Sequence, residues 1–297
     1  MANSRTLQPY LDLWMKRLEL GRLIAMQRSS KSIWVGYAIG IFCILYSIKL
    51  AGNARTFIDA TSIFITVGGT LGTLVVSFPA EKLKALGPVM KKAFHRQSFD
   101  LRRDIDTIVS LDEIARKKGP LALEDTAEEY ADDEFLKKGI LLIVDGTDKE
   151  VLRSSMEDEI YFMQKRHRQG HAMLDMIAST ATSLGLLGTY VGLIPMLINL
   201  EDPTKLGPLM AVELVTSFYG AFISYIIFTP MSRRLKNMSQ DEVTRKELVI
   251  EGLVAIQENQ NPRRIRDSLM AFLSKKEAEN MRRQQKNRTS AKLRKVA

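Results

Sequence analysis

The stretch Thr182–Pro230 limits what this chain can become more than any other part of it: two long apolar segments joined by a short polar link, TSLGLLGTYVGLIPMLINLEDPTKLGPLMAVELVTSFYGAFISYIIFTP. Each segment approaches the roughly 20 residues that a helix needs to cross a hydrocarbon layer about 30 Å thick. The link allows only an antiparallel return. Helical spacing puts Thr182, Gly185, Thr189, Gly192 and Met196 on one face of the first helix, away from Leu184, Leu187, Val191 and Ile194. On the second helix Glu213, Thr216, Ser217, Gly220 and Ser224 form a stripe of the same kind. Hydroxyls and a carboxylate gain nothing by facing lipid, where a charge is costly. Both stripes are therefore expected to face protein, water or ions.

The mean hydropathy of −0.08 is that of an ordinary soluble protein, but it averages over apolar runs and highly charged stretches. Besides the hairpin (Ala172–Leu200 and Leu209–Pro230), Ile33–Leu50 and Phe57–Pro79 are long enough to span, which predicts an all-α, polytopic membrane protein with four transmembrane helices and a cytoplasmic helical domain. The sole cysteine, Cys43, lies inside the first run and reads as a packing residue, with no disulfide or cysteine-built metal site open to it. A formal net charge of +9 could suggest nucleic acid. In a polytopic chain, however, excess Lys and Arg sets orientation, and no nucleic-acid partner is expected. No cleavable signal peptide is expected either, because about thirty polar and basic residues precede the first run.

Taken in order, residues 1–31 read as a basic amphipathic segment, either a helix on the membrane surface or a mobile leader, and residues 32–79 as spans one and two. Gly68, Gly69 and Gly72 mark span two as an interface helix. Asp59 near its outer end reads as a solvated helix start or a contributor to ion entry. Residues 80–171 form the main cytoplasmic domain, a helical bundle with Ile105, Ile108, Val109, Leu111, Ile114 and Ala115 at amphipathic spacing and breaks at Gly119-Pro120 and Gly146. Around the first break, Arg116, Lys117 and Lys118 precede Glu124, Asp125, Glu128 and Glu129. Such a run is either a solvated face or a surface for a charged partner. Residues 172–230 are spans three and four, 231–275 cytoplasmic helices with Leu248, Ile250, Leu253, Val254 and Ile256, and 276–297 a basic tail expected to lack structure. Because the short links hold only two basic residues, Arg55 and Lys205, both termini and the large loop are expected in the cytoplasm.

No enzyme is indicated, since neither a P-loop nor a nucleophile elbow is present. Of the three histidines, His95, His167 and His171, the last two could share a helix face, but they lie in a basic run and no metal site is expected. Ion translocation fits the hairpin better, with hydroxyl oxygens at Thr189, Thr216 and Ser217. An ion carrier normally needs a carboxylate deep in a span, and Glu213 lies only about one turn from the outer end of its helix. The carboxylate is therefore expected on a second protein. The bland alternative is that these small residues only pack the spans. Pro195 and Pro230 leave flexible points in long helices.

With VGGTLGTLVVSFP, ARKKGPLALED, LLIVDG, LGLLGTYVGLIPMLINLEDPTKLGP and MAVELVTSFYGAFISYIIFTPMSRRL in this order, about residues 33–270 resemble the MotA/PomA family of flagellar stator subunits. The resemblance implies an inner-membrane protein without cofactors, carrying H+ or Na+, with five copies around a dimer of a MotB-like single-span protein that supplies the essential Asp. It also implies torque on the rotor protein FliG, with Arg116 and Glu124 matching the family's rotor-contact residues and Lys117 and Asp125 beside them. Pro230 matches the proline ending span four. Thr189 stands where sodium-type members have a similar residue, and Ser217 where the family has Thr. Thr182 replaces the coupling proline of an A-P-A-x-G pattern, so that either Pro195 supplies flexibility or coupling differs. Glu213 replaces a small residue. The alternatives are an ExbB/TolQ-like ion-driven motor subunit, typically with three spans, and a passive membrane scaffold.

Overall fold

The computed structural model describes residues 34–50, 52, 54–95 and 99–296; the amphipathic reading of residues 1–31 lies outside them. All secondary structure among the described residues is helical. The chain divides into two compact units, one of residues up to 98 with 167–236, the other of residues 99–166 with 237–297.

In the first unit α1 covers Trp34–Leu50. Helix α2 runs Ala60–Ile63, through a π-helical turn Phe64–Gly68, into Gly69–Ser77. Asp59 starts it by accepting the Ser62 N–H at 2.6 Å, one of the donors a helix start leaves unpaired. Pro79 stops it, with Phe78 before it forced into extended backbone. Two short helices follow, α3 (Ala80–Lys84) and α4 (Leu86–Phe94). Of the three span-two glycines, only Gly69 meets a neighbour within the chain, its Cβ position lying 2.8 Å from Leu184 Cδ1, while Gly68 and Gly72 meet nothing.

In the second unit α5 (Leu101–Lys118), α6 (Leu123–Glu129) and α7 (Glu134–Val144) precede the long α8 (Lys149–Ile198), whose residues from 167 on are counted with the first. After the spans α9 runs Pro203–Gln257, then α10 (Pro262–Leu269) and α11 (Lys275–Val296). Ile105, Ile108, Val109 and Leu111 are buried with Leu248, Ile250, Leu253 and Ile256 in one core, as their spacing predicts. Helix α5 ends at Lys118 before Gly119, and Gly146 takes the positive φ of 68° that releases the chain after α7.

Three differences from the sequence reading have physical causes. Span three, expected from Ala172, is the later part of α8, which begins at Lys149 and continues unbroken for 50 residues. At 1.5 Å per residue this is about 75 Å, far more than a bilayer core. Lys, Arg, Gln and Met keep a helix going as well as Leu does, so only hydropathy changes at the boundary. Pro230 likewise ends nothing. It lacks an N–H for the carbonyl four residues back, and the π-helical stretch Phe222–Phe228 just before it is the wider winding that carries the chain past. The tail expected to lack structure is helix α11. Ser274 and Glu277 cap each other (Ser274 Oγ donates to Glu277 Oε2 at 2.7 Å, Glu277 N–H to Ser274 Oγ at 3.4 Å), and Met281 is buried in the core.

Arg55–Ser77, Lys149–Ile198 and Pro203–Gln257 are long and apolar enough to cross a membrane, while at the expected first span the described helix Trp34–Leu50 is shorter. Phe64, Val76 and Ile198 are 77%, 88% and 78% exposed. Apolar surface of that extent on every spanning helix is what lipid or further protein must cover.

Candidate functional site

Helices α8 and α9 meet along a seam of glycines. A Cβ on Gly185 would lie 3.1 Å from Gly220 Cα, one on Gly220 would lie 2.5 Å from the Ala181 carbonyl oxygen, and one on Gly192 would lie 3.0 Å from Glu213 N. Gly188 receives Thr216, whose Cγ2 lies 2.0 Å from the Cβ position. Only glycine permits backbones this close, and in a bilayer such packing replaces the hydrophobic drive. Gly188 escapes the sequence stripe, though its spacing of three and four from Gly185 and Gly192 carries the signal.

A buried chain of hydroxyls fastens α2 to this seam. Thr216 and Ser62 are fully buried. Thr216 Oγ1 lies 2.9 Å from Ser62 Oγ, and Ser62 Oγ donates to Asp59 Oδ2 at 2.7 Å. Along α2, Thr66 Oγ1 donates to the Ser62 carbonyl at 2.6 Å and Thr70 Oγ1 to the Thr66 carbonyl at 2.5 Å. Asp59 is therefore occupied in starting α2 and holding Ser62. Sequence spacing (Ser62, Thr66, Thr70) shows the α2 face, but Ser62 and Thr216 stand 154 positions apart and no local pattern joins them.

The expected ion-pathway residues separate into two groups. Thr216 is closed inside the seam, whereas Thr182, Thr189, Ser217 and Glu213 are half-buried. Thr182 Oγ1 donates to the Ala178 carbonyl at 3.1 Å and Thr189 Oγ1 to the Leu186 carbonyl at 2.6 Å. Their hydrogens satisfied, both oxygens keep lone pairs for a cation or a water. Pro195 lies inside α8 one turn before its end, where Asn199 closes the helix by donating both N–H (3.2 Å) and Nδ2 (2.7 Å) to the Pro195 carbonyl.

The charged turn belongs to the other unit. Arg116 Nε donates to both oxygens of Asp112 at 3.1 and 3.0 Å, and Nη2 to the Asn259 carbonyl at 2.6 Å. Burial pushes the Asp112 carboxyl above its ordinary pKa, and Arg116 draws only part of that back. Lys117 is 75% exposed beside Glu113, and Glu124 and Asp125 are exposed on the first turn of α6.

Residues 127–248 match the model of the MotA/TolQ/ExbB proton channel family. The chain is 38% identical to the uncharacterized protein YtxD of Bacillus subtilis (strain 168), over 86% of this chain and 94% of that one. It is 35% identical to motility protein A of Treponema pallidum (strain Nichols), over 82% of this chain and 93% of that one. Among solved structures, the flagellar MotAB stator complex from Bacillus subtilis contains a chain similar to it, with a TM-score of 0.76 at 28% identity, covering 84% of this chain and 98% of that one.

Proposed function

The chain belongs to the MotA family of flagellar stator proteins and is a stator subunit that couples ion flow to motility; on that premise we propose that its hairpin is half of an ion pathway. The observation that carries this reading is the set of half-buried hydroxyls, Thr182, Thr189 and Ser217, beside a seam closed by glycine, with no carboxylate at mid-span. The other half is the Asp of a MotB-like single-span partner, which takes up H+ or Na+ and is neutralised next to Thr189 and Ser217. In this reading the subunit lies in the bacterial inner membrane with four spans, α1 being the first, and the basic flanks support both termini in the cytoplasm. Five copies surround a partner dimer and step around it. Each ion shifts the relative free energies of the docked positions, since a ligand moves an equilibrium only by its differential affinity. Pro195 and Pro230 are the flexible points. The turn carrying Arg116, Lys117, Glu124 and Asp125 meets the rotor protein FliG.

In cells lacking stators, this chain with a partner carrying the single span and the Asp should restore swimming. Absence of rotation would overturn the reading. Thr189→Val keeps the shape but removes the oxygen. A hydrogen bond to a charged group contributes roughly 1.5–3 kcal/mol, so ion-driven rotation should slow about tenfold or more, while Thr189→Ser keeps it. Swimming that persists in sodium-free medium excludes a strict sodium dependence.

A further inference from the structure

Helix α11 leaves the second unit from a fixed place. Arg116, at the end of α5, holds the Asn259 and Gln260 carbonyls just past α9. From there α10 runs back along α5, with Arg266 Nη1 3.0 Å from Asp106 Oδ1, until Glu277 of α11 lies 3.5 Å from Arg102 at the start of α5. This is the end at which the chain enters the unit, because Phe99 precedes α5 and Arg245, soon after α9 enters at Asn237, pairs with Asp104. Ser274 and Glu277 cap α11 and Met281 is buried in the core, so its first turns are fastened. Beyond Met281 the helix continues to Val296, about 22 Å at 1.5 Å per residue.

That free length is one-sided in charge. From Arg282 to Ala297 the sequence has seven Lys and Arg and no Asp or Glu. Arg282 with Lys286, and Arg288 with Lys292, are like charges four positions apart, a spacing that destabilises a helix unless an anion offsets it. No acidic residue of the segment does so. Its only large apolar residues are Leu293 and Val296, too few for insertion into lipid, and it has no aromatic ring on which a base would stack. What remains is a basic rod suited to a flat anionic surface. It also lies beyond residues 33–270, which carry the family resemblance.

We propose that α11 beyond Met281 docks electrostatically on the anionic headgroups of the cytoplasmic leaflet, giving the second unit an attachment to the membrane besides its covalent links to the spans. The inference rests on the reading that places both termini in the cytoplasm. Charge selects such a surface, since the leaflet carries a negative potential and each Lys or Arg near it raises affinity roughly fivefold. Position selects it over nucleic acid. A helix fastened at the end where the chain passes to and from the spans is kept at high local concentration near lipid.

The test uses the full chain with its single-span partner in lipid nanodiscs, with Cys43→Ser and a fluorophore on Ser290→Cys, and reads quenching by a quencher on the lipid headgroups. Raising phosphatidylglycerol from none to about one third of the lipid should increase quenching severalfold. The increase should vanish between about 0.1 and about 1 M salt, as the screening length falls from about 10 to about 3 Å. Combining Lys286→Gln, Arg288→Gln, Lys292→Gln, Arg294→Gln and Lys295→Gln should abolish it, while Met281 and the cap keep the base of the helix in place. Equal quenching in the two bilayers, or the same increase with the five substitutions, overturns the inference, and capture of a fluorescent RNA oligomer by the unsubstituted chain would then assign the helix to nucleic acid. Neither result touches the stator reading. Labelling of the Ser290→Cys chain from the periplasm of intact cells overturns the topology and the docking together.

Discussion

Gly220→Val should abolish flagellar rotation, and Gly220→Ala should reduce it severely. A Cβ at Gly220 would stand 2.5 Å from the Ala181 carbonyl oxygen and 2.9 Å from Gly185 Cα. Both obstacles are backbone, so no rotamer change relieves them and α8 and α9 must move apart. Separation would draw Thr216 out of the space above Gly188 and away from Ser62, undoing the hydroxyl chain that fastens α2. Overpacking of this kind costs about 1–3 kcal/mol for a single extra group, and here one insertion disturbs three helices. Gly207 provides the control, since a Cβ there meets nothing within 4 Å. Swimming and membrane abundance should both fall for Gly220→Val and stay normal for Gly207→Ala. Wild-type swimming by Gly220→Val would show that the seam is not held closed in the working protein.

Three of the four expected spans and the breaks at Gly119 and Gly146 are legible in the sequence because they rest on local chemistry, namely runs of apolar residues and residues that allow a positive φ. The long continuous helices are less legible. Nothing in backbone propensity distinguishes Arg168 from Leu184, so hydropathy changes near Ala172 while the helix that starts at Lys149 runs on. Pro230 misleads in the same way, since the π-helical stretch that accommodates it has no clear sequence mark. The tail shows a different failure. Its polarity suggests disorder, yet Ser274 and Glu277 have the spacing of a reciprocal cap. At the candidate site, helical spacing puts Thr182, Thr189, Gly185 and Gly192 on one face but cannot say which of them touch another helix. That depends on partners such as Ser62 for Thr216 and Asn259 for Arg116, which stand 154 and 143 positions away.

Arg245→Met should unfold or loosen the unit formed by residues 99–166 and 237–297 at temperatures where the wild type is intact. Arg245 is 18% exposed in its side chain and joins two carboxylates of similar exposure, Asp104 (16%) and Asp133 (22%). Its Nε donates to Asp104 Oδ2 at 2.9 Å, its Nη2 bonds to Asp133, and its guanidinium carbon lies 5.3 Å from the centre of the Phe99 ring. Burial works against the charge of Arg245, but Asp104 and Asp133 outweigh it and raise the arginine's pKa further. Asp133 also caps α7 through the Leu136 N–H at 3.2 Å, so one cation links α9, the first turn of α5 and the start of α7. Methionine fills similar volume and leaves two half-desolvated carboxylates facing each other. Breaking a buried pair from one side typically costs about 3–5 kcal/mol, enough to lower a melting temperature by about 10 °C or more. Adding Asp104→Asn and Asp133→Asn to Arg245→Met should recover part of the lost stability, with the α7 cap preserved. Hydrogen exchange across α5 and α7 in the purified complex measures both variants, and unchanged protection in Arg245→Met would show that the hydrophobic core alone holds this unit together.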